Sequence, residues 1–157
     1  MTCTTSPIKR YKFEYTMIWK QALTLEGINT ISQNTLVDHL GIEFIEIGDD
    51  YLKAKMPVDH RTVQPFRLLH GGASVALAES VGSTASMGVL EDATKYMPVG
   101  VEINANHLRS ATSGNVYATV KPIKIGRRLH VWNIEIEDDA GKLVCVSRLT
   151  IAVIEQY

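Results

Sequence analysis

Hydrophobic spacing along the chain divides it into a small set of elements. Leu25, Ile28, Ile31 and Leu36 recur at helical intervals, with Thr24 and Glu26 at the start and Gly41 just past the end, which predicts a helix over Thr24–His39. Ile42–Ile47 and Tyr51–Met56 follow as strands around a Gly48-Asp49-Asp50 turn, Leu52, Ala54 and Met56 alternating with Lys53 and Lys55. A loop over Pro57–Leu69 leads into His70-Gly71-Gly72 and then a stretch, Gly71–Leu90, that is almost wholly small or apolar. After a turn over Glu91–Pro98 come four strand-like runs: Val99–Leu108, Asn115–Ile123, Leu129–Glu137 and Leu143–Ile154. Trp132, Ile134 and Ile136 alternate with Asn133, Glu135 and Glu137, as in a sheet with one wet face. The expected fold is α+β: a helix, two strands, a long apolar helix, and a four-stranded meander. The Gly71–Leu90 helix is the natural cover for the inner face of that antiparallel sheet, its small residues allowing a curved sheet to close around it.

Composition narrows the functional classes. The 157 residues suit about one domain, and 45% apolar with 21% charged residues excludes a disordered chain. Lys plus Arg is 16 and Asp plus Glu is 17, a net charge of 16 − 17 = −1, so no electrostatic footprint for nucleic acid or an anionic membrane exists. Cys3 and Cys145 are too few for a disulfide framework and have no metal-ligand spacing, so a reducing, cytoplasmic setting is expected. Residues 1–16 are polar and mildly basic without the apolar core of a signal peptide, and Met17 offers a second start. They are expected to be a disordered extension to a single domain over 17–157. The twenty residues from Gly71 to Leu90 have the length of a membrane span, but five Ser/Thr and a central Glu79 make insertion poor. A helix buried on nearly all sides of a soluble fold fits better.

Glu79 is the only charge in that helix, and no Lys or Arg flanks it within the twenty residues. An ionised carboxylate there either reaches an exposed stripe or a structural hydrogen bond, or it is a reactive group. His70-Gly71-Gly72 places free backbone N–H groups at the positive end of the helix, suited to an oxyanion; the plainer alternative is a glycine-assisted turn with His70 as cap. No Lys-Ser/Thr follows, so a carbonyl oxygen is preferred to a phosphate. Gly71 and Glu79 lie eight residues apart, roughly 12 Å of helical rise. One carbonyl would not touch both within one chain; if both serve one reaction, two subunits share the site and the protein is at least a dimer. Gln64 can orient a water or simply be solvated. Ser83, a turn beyond Glu79, can hydrogen-bond substrate or carboxylate, or only pack. Lys121, Lys124, Arg127 and Arg128 surround a hairpin turn and, with Arg109, can hold phosphates or form a solvated edge. His107 has no metal-partner spacing, and no CxxC, HExxH or Ser/His/Asp set occurs.

The segments QPFRLLHGGASVALAES (Gln64–Ser80), VGVEINANHLRS (Val99–Ser110) and VSRLTIAV (Val146–Val153) resemble hotdog-fold acyl-CoA thioesterases. The similarity runs from Met17 to about Glu155, and it is greatest to the group acting on 1,4-dihydroxy-2-naphthoyl-CoA in menaquinone biosynthesis and to the enterobactin-pathway proofreading enzymes. The resemblance implies a curved antiparallel sheet wrapped around a long central helix, and thioester hydrolysis with no metal or other cofactor, CoA being part of the substrate. It implies that Glu79 is the catalytic carboxylate, as nucleophile or general base, and that the Gly71 N–H polarises the thioester carbonyl. Gln64 and His70 would line the carbonyl and thiol side, and Ser83 would assist the carboxylate. Gly100, the segment His107, Leu108, Arg109 and Ser110, and the segment Lys124, Ile125, Gly126, Arg127, Arg128 and Leu129 match CoA- and substrate-binding positions. Sites between subunits and tetramers built from dimers are implied as well. Arg67 stands where the family usually has glycine, and 87–98 looks longer or rearranged. Two other readings remain open. A hotdog dehydratase would show His followed by a Phe-Pro-Gly-type segment, where His70 is followed by Gly71-Gly72; a non-catalytic acyl-CoA-binding module would need no Glu79.

Overall fold

A computed structural model describes residues 17–156; the extension expected over residues 1–16, with Cys3, lies outside them. Two short helices open the described chain, α1 (Leu25–Ile31) and α2 (Leu36–His39), followed by strands β1 (Glu43–Ile47) and β2 (Leu52–Pro57). The long helix α3 (Gly71–Gly88) comes next, then β3 (Tyr96–His107), β4 (Asn115–Ile125), β5 (Leu129–Asp138) and β6 (Leu143–Glu155). All six strands form one antiparallel sheet in the order β1-β2-β4-β5-β6-β3.

The core lies between this sheet and α3. Trp132, Ile134 and Ile136 of β5 point inward beside Leu52, Ala54 and Met56 of β2, Val116, Ala118 and Val120 of β4, and Leu149 and Ile151 of β6, all buried. Register makes continuous rows of them, such as Ala54, Ala118, Ile136 and Cys145 across four strands. Against these rows α3 buries Ala73, Ser74, Leu77, Ala78, Val81, Gly82, Ala85 and Ser86. Those positions recur in adjacent pairs every four residues, one face of a helix. The opposite face, Val75, Ala76, Glu79, Ser80, Ser83 and Thr84, is only half-buried and Met87 is exposed. The all-round burial expected of this helix is therefore corrected: in the single chain one stripe stays partly open, and Glu79 sits on it.

Three further expectations are corrected. The single helix over Thr24–His39 is two, because Asn34 takes a left-handed φ of 60° and Thr35 restarts the chain as an extended N-cap accepting from the Val37 N–H. The periodic face that suggested continuity is buried only at its start: Ile28 is in the core and Leu25 packs half-buried against it, but Ile31 is 78% and Leu36 61% exposed. The last four strands are not one meander. β4, β5 and β6 form one, but β3 pairs with β6 at the sheet edge, with β5 and β6 between it and β4. The connection 108–114 therefore crosses the end of the sheet, where the Leu108 N–H donates to Val144 O (2.8 Å) and Ala111 O accepts from the Leu69 N–H (2.8 Å). Finally, β3 begins at Tyr96 rather than Val99, since Tyr96, Met97 and Pro98 pair with Glu155, Ile154 and Val153; a proline that reads as a turn is tolerated on an edge strand.

Leu77 is completely buried between α3 and the sheet. Leu77→Ala is expected to destabilise by about 2–5 kcal/mol, read as a lower urea midpoint with an unchanged m-value.

Candidate active site

The loop before α3 is built to hold the helix start still. Thr62 is buried and donates to Pro57 O (2.7 Å), while its own carbonyl accepts from the His70 N–H (2.8 Å). Gln64 folds its side chain back so that Oε1 accepts from the Phe66 N–H, and the Arg67 N–H donates to Gln64 O (2.8 Å). Arg67 has a φ of 66°. That left-handed conformation costs a side-chain-bearing residue roughly 1–2 kcal/mol, which explains why glycine is the residue expected there.

His70 is the N-cap of α3. Its Nδ1 accepts from the Gly72 N–H (2.8 Å), and its carbonyl accepts from the Ala73 and Ser74 N–H groups (2.9 and 3.2 Å). The Gly71 N–H is left without an acceptor among the described residues. His107, the last residue of β3, lies against this helix start: a Cβ on Gly71 would come within 2.7 Å of His107 Nε2. The two meet in an open cleft of about 360 Å³ that Gln64, Ser74, Arg109 and Ser110 also line, with Leu68, Leu69, Leu108 and Val144 supplying apolar walls. The crossover 108–114 is what carries Leu108, Arg109 and Ser110 to this end of the helix.

Glu79 is elsewhere. It is half-buried two turns along α3 and does not line that cleft. Its Oε1 accepts from the Ser83 hydroxyl (3.3 Å), and no Lys, Arg or His pairs with it among the described residues. Burial raises its pKa above the ordinary range, opposed in part by the Ser83 hydrogen bond. The backbone of β3 runs directly over the carboxylate at Gly100, where a Cβ would collide with Glu79 Oε1. Glycine in mid-strand is the sequence signal of such a close approach.

A third group sits at the opposite end of α3. Lys124, Ile125, Arg127, Arg128 and Leu129 are exposed around the β4–β5 turn, with Gly126 half-buried among them. Ile125, Gly126 and Arg127 join Val89, Leu90, Tyr96 and Val153 around a pocket of about 300 Å³, so the 87–98 segment borders this pocket. The chain thus brings Gln64, His70, Gly71 and His107–Ser110 together at one end, Glu79, Ser83 and Gly100 in the middle, and 124–129 at the other. Residues that sequence reasoning did not single out include Ser74, in the cleft, and a buried set of Ser86, His130 and Trp132 beneath the basic turn. Nothing in their spacing marks them, since each reads as an ordinary inward position. No cluster of three or more His, Cys, Asp or Glu able to hold a metal occurs among the described residues, and no helix among them is long and apolar enough to cross a membrane.

Chemically, one end offers a free amide for a developing negative charge, and the middle a poorly solvated carboxylate with no counter-ion among the described residues. Comparison with known proteins bears on what these do. The family model of the thioesterase superfamily matches residues 66–145. The chain is 54% identical over 138 residues to the 1,4-dihydroxy-2-naphthoyl-CoA hydrolase of Escherichia coli, covering 88% of this chain and 100% of that one. It is 51% identical over 137 residues to the proofreading thioesterase EntH of Cronobacter turicensis, covering 87% and 98%. Among solved structures, a Haemophilus influenzae thioesterase is similar with a TM-score of 0.86 at 52% identity, covering 88% of this chain and 96% of that one. A mutant thioesterase from Pseudomonas aeruginosa gives 0.87 at 50% identity, covering 88% and 99%.

Because burial and the Ser83 hydrogen bond act on Glu79 in opposite directions, its carboxyl is expected to titrate above an ordinary glutamate. Ser83→Ala removes the bond that favours the ionised form and is expected to move the midpoint higher still. Carboxyl-carbon NMR across a pH series checks both; a downward move in Ser83→Ala contradicts the assignment.

Proposed function

The chain belongs to the thioesterase superfamily, with its hotdog fold of six antiparallel strands against one long helix, and on that premise we propose that it hydrolyses an aromatic acyl-CoA, with Glu79 and Gly71 of different subunits acting on one thioester. The reaction is R–CO–S–CoA plus water giving R–COOH and CoA–SH. The observation that carries this reading is Glu79 itself, half-buried, without a cation among the described residues, and lying so close under the β3 backbone that only a glycine fits at Gly100.

The Gly71 N–H donates to the carbonyl oxygen as it gains negative charge, and the α3 dipole adds to that field. Glu79 activates the attack, taking a proton from water as general base or attacking the carbonyl itself. Its raised pKa suits the first role, since a base is most useful when its pKa approaches the working pH. Ser83 steadies the ionised carboxylate, and the amide group of Gln64, whose oxygen is already engaged by Phe66, offers a donor to the substrate. Arg109 and the basic turn at Lys124, Arg127 and Arg128 supply cations for the CoA phosphates. These side chains, a backbone amide and water balance the reaction without a cofactor.

The edge strand supports the shared site. Among the described residues β3 has β6 on one side and no strand on the other, and it exposes Val99 and Val101, the latter 62%. Such an edge is a template for a second copy. Antiparallel pairing of two β3 strands, with Gly100 opposite the His107 region of the other copy, carries Gly71 of the partner subunit toward Glu79. It also covers the half-buried stripe of α3. Further pairing of dimers would give the tetramer, and acyl-CoA as substrate goes with a cytoplasmic setting. The aromatic acyl group is supported by the names of the relatives above, a naphthoyl-CoA hydrolase among them.

Glu79→Gln is expected to lower kcat by at least about 10²-fold while the protein stays folded, measured as thiol release from a panel of aryl and aliphatic CoA esters. Near wild-type turnover by Glu79→Gln would contradict the catalytic role, and preference for long aliphatic esters would contradict the aromatic substrate.

A further inference from the structure

The residues by which β3 starts early, Tyr96 to Pro98, bring an exposed aromatic ring onto the face of the sheet that bears the carboxylate. Tyr96 pairs with Glu155, Pro98 with Val153 and Gly100 with Ile151, and alternate residues of a strand share one face. Tyr96 therefore stands on the side of β3 that Gly100 turns toward Glu79. The two lie four residues apart, a span of roughly 13 Å. The backbone beneath the ring is held in place: the Tyr96 N–H donates to Asp92 O (3.1 Å), and Tyr96 O accepts from Gln156 Nε2 (3.2 Å).

Across the end of β6 from Tyr96 lies the basic turn. The Val153 N–H donates to Arg128 O (3.0 Å), which docks the turn on β6 from the β5 side, while Tyr96 pairs with β6 from the other. Two strand spacings, roughly 10 Å, separate these flanks. Between them runs an open groove of about 480 Å³ lined by Tyr96, Arg127, Arg128, Val153, Ile154 and Glu155. Neither arginine is in an ion pair among the described residues. An aromatic face on one side and two uncommitted guanidinium groups on the other suit a nucleotide, whose base stacks on a ring and whose phosphates accept from arginine forks. Glu155 repels a phosphate but can accept from a ribose hydroxyl or a base amino group, so it places the base at the end of the groove shared with Tyr96.

We propose that Tyr96 binds the adenine of the acyl-CoA by stacking, with Arg127 and Arg128 on the adjoining phosphates. The proposal rests on the reading above that the chain hydrolyses an acyl-CoA and that the turn meets its phosphates. The distance from Glu79 agrees with it: roughly 13 Å of strand is farther than a one- or two-ring acyl group reaches, whereas the pantetheine arm of CoA spans it. Tyr96 touches no reacting atom, so its effect falls on KM and not on kcat. It acts on the nucleotide alone, so an acyl-pantetheine thioester, which lacks adenine and phosphates, is indifferent to it. A residue that merely stabilised the fold would weigh on both esters alike.

The test measures kcat and KM for one aryl-CoA and for the matching aryl-pantetheine thioester. Tyr96→Ala is expected to raise KM for the CoA ester about tenfold, within the range that loss of a stacking side chain gives, with kcat within about twofold and KM for the pantetheine ester unchanged. Tyr96→Phe keeps the ring and should stay within about twofold of wild type. Tyr96→Leu keeps bulk without an aromatic face and should lose what Tyr96→Ala loses. Equal losses on both esters, a wild-type KM for the CoA ester in either Tyr96→Ala or Tyr96→Leu, or a Tyr96→Phe as impaired as Tyr96→Ala overturns the proposal. If Tyr96→Ala fails to fold, the Phe and Leu pair decides it. Arg127→Ala with Arg128→Ala separates the proposal from the reading beneath it. If that double variant raises the ratio of the CoA to the pantetheine KM while Tyr96→Ala does not, the turn binds CoA and only the stacking role falls. If neither changes the ratio, the turn does not bind CoA and both fall.

Discussion

The rest of the structure depends on a separation along one helix. The free amide at the start of α3 and the carboxylate at Glu79 are held on a rigid rod, roughly 12 Å apart in rise, and no side-chain rotation closes that gap. Within a chain the amide faces a cleft with Gln64 and His107, while the carboxylate faces the edge of the sheet across Gly100. On the proposed reading each half is incomplete alone. A donor without a base polarises a carbonyl that nothing attacks; a base without a donor attacks a carbonyl whose developing charge has no partner.

What surrounds these groups is consistent with a surface meant to be covered. The face of α3 toward the sheet is sealed by Ala, Leu and Val, whereas the face bearing Glu79 and Ser83 is half-open. The adjoining strand β3 is twelve residues long, unpaired on one side among the described residues, and carries exposed valines. An uncovered strand of that length and polarity is hazardous in a monomer. The same strand also ends at His107, against Gly71, so one element touches both halves of the proposed site. Covering it with a second copy would desolvate Glu79 further and strengthen its interaction with a developing charge.

Much of this was legible in the residues. The alternation of Trp132, Ile134 and Ile136 and the small-residue run of α3 identify sheet and cover, and the lone Glu79 in an apolar stretch marks itself. Topology was less legible. β3 and β4 read as neighbours because local alternation carries no information about pairing partners; the crossover is set by hydrogen bonds from Leu108 to Val144 and from Leu69 to Ala111, which join residues distant in sequence. α1 and α2 read as one helix because Leu25, Ile28, Ile31 and Leu36 keep its period, although a left-handed Asn34 interrupts it. His130 was invisible for a related reason: a histidine at an inward strand position looks like any other until Ser86 is found beside it.

The shared site is tested most directly by mixing two inactive proteins. Glu79→Gln removes the carboxylate. Gly71→Pro removes the amide hydrogen at a first helical position, where the backbone accepts proline and His70 before it already has an extended φ and ψ of −71° and 130°, although the added Cβ requires the His107 ring to move aside. If each site draws Glu79 from one subunit and Gly71 from another, a mixed dimer keeps one intact site of two. After unfolding and refolding together, equal amounts of the two variants should regain about a quarter of the wild-type rate, since random pairing makes half of the dimers mixed. A mixture that refolds and assembles yet stays as inactive as either parent would show that both groups act within one chain, and the account would be wrong.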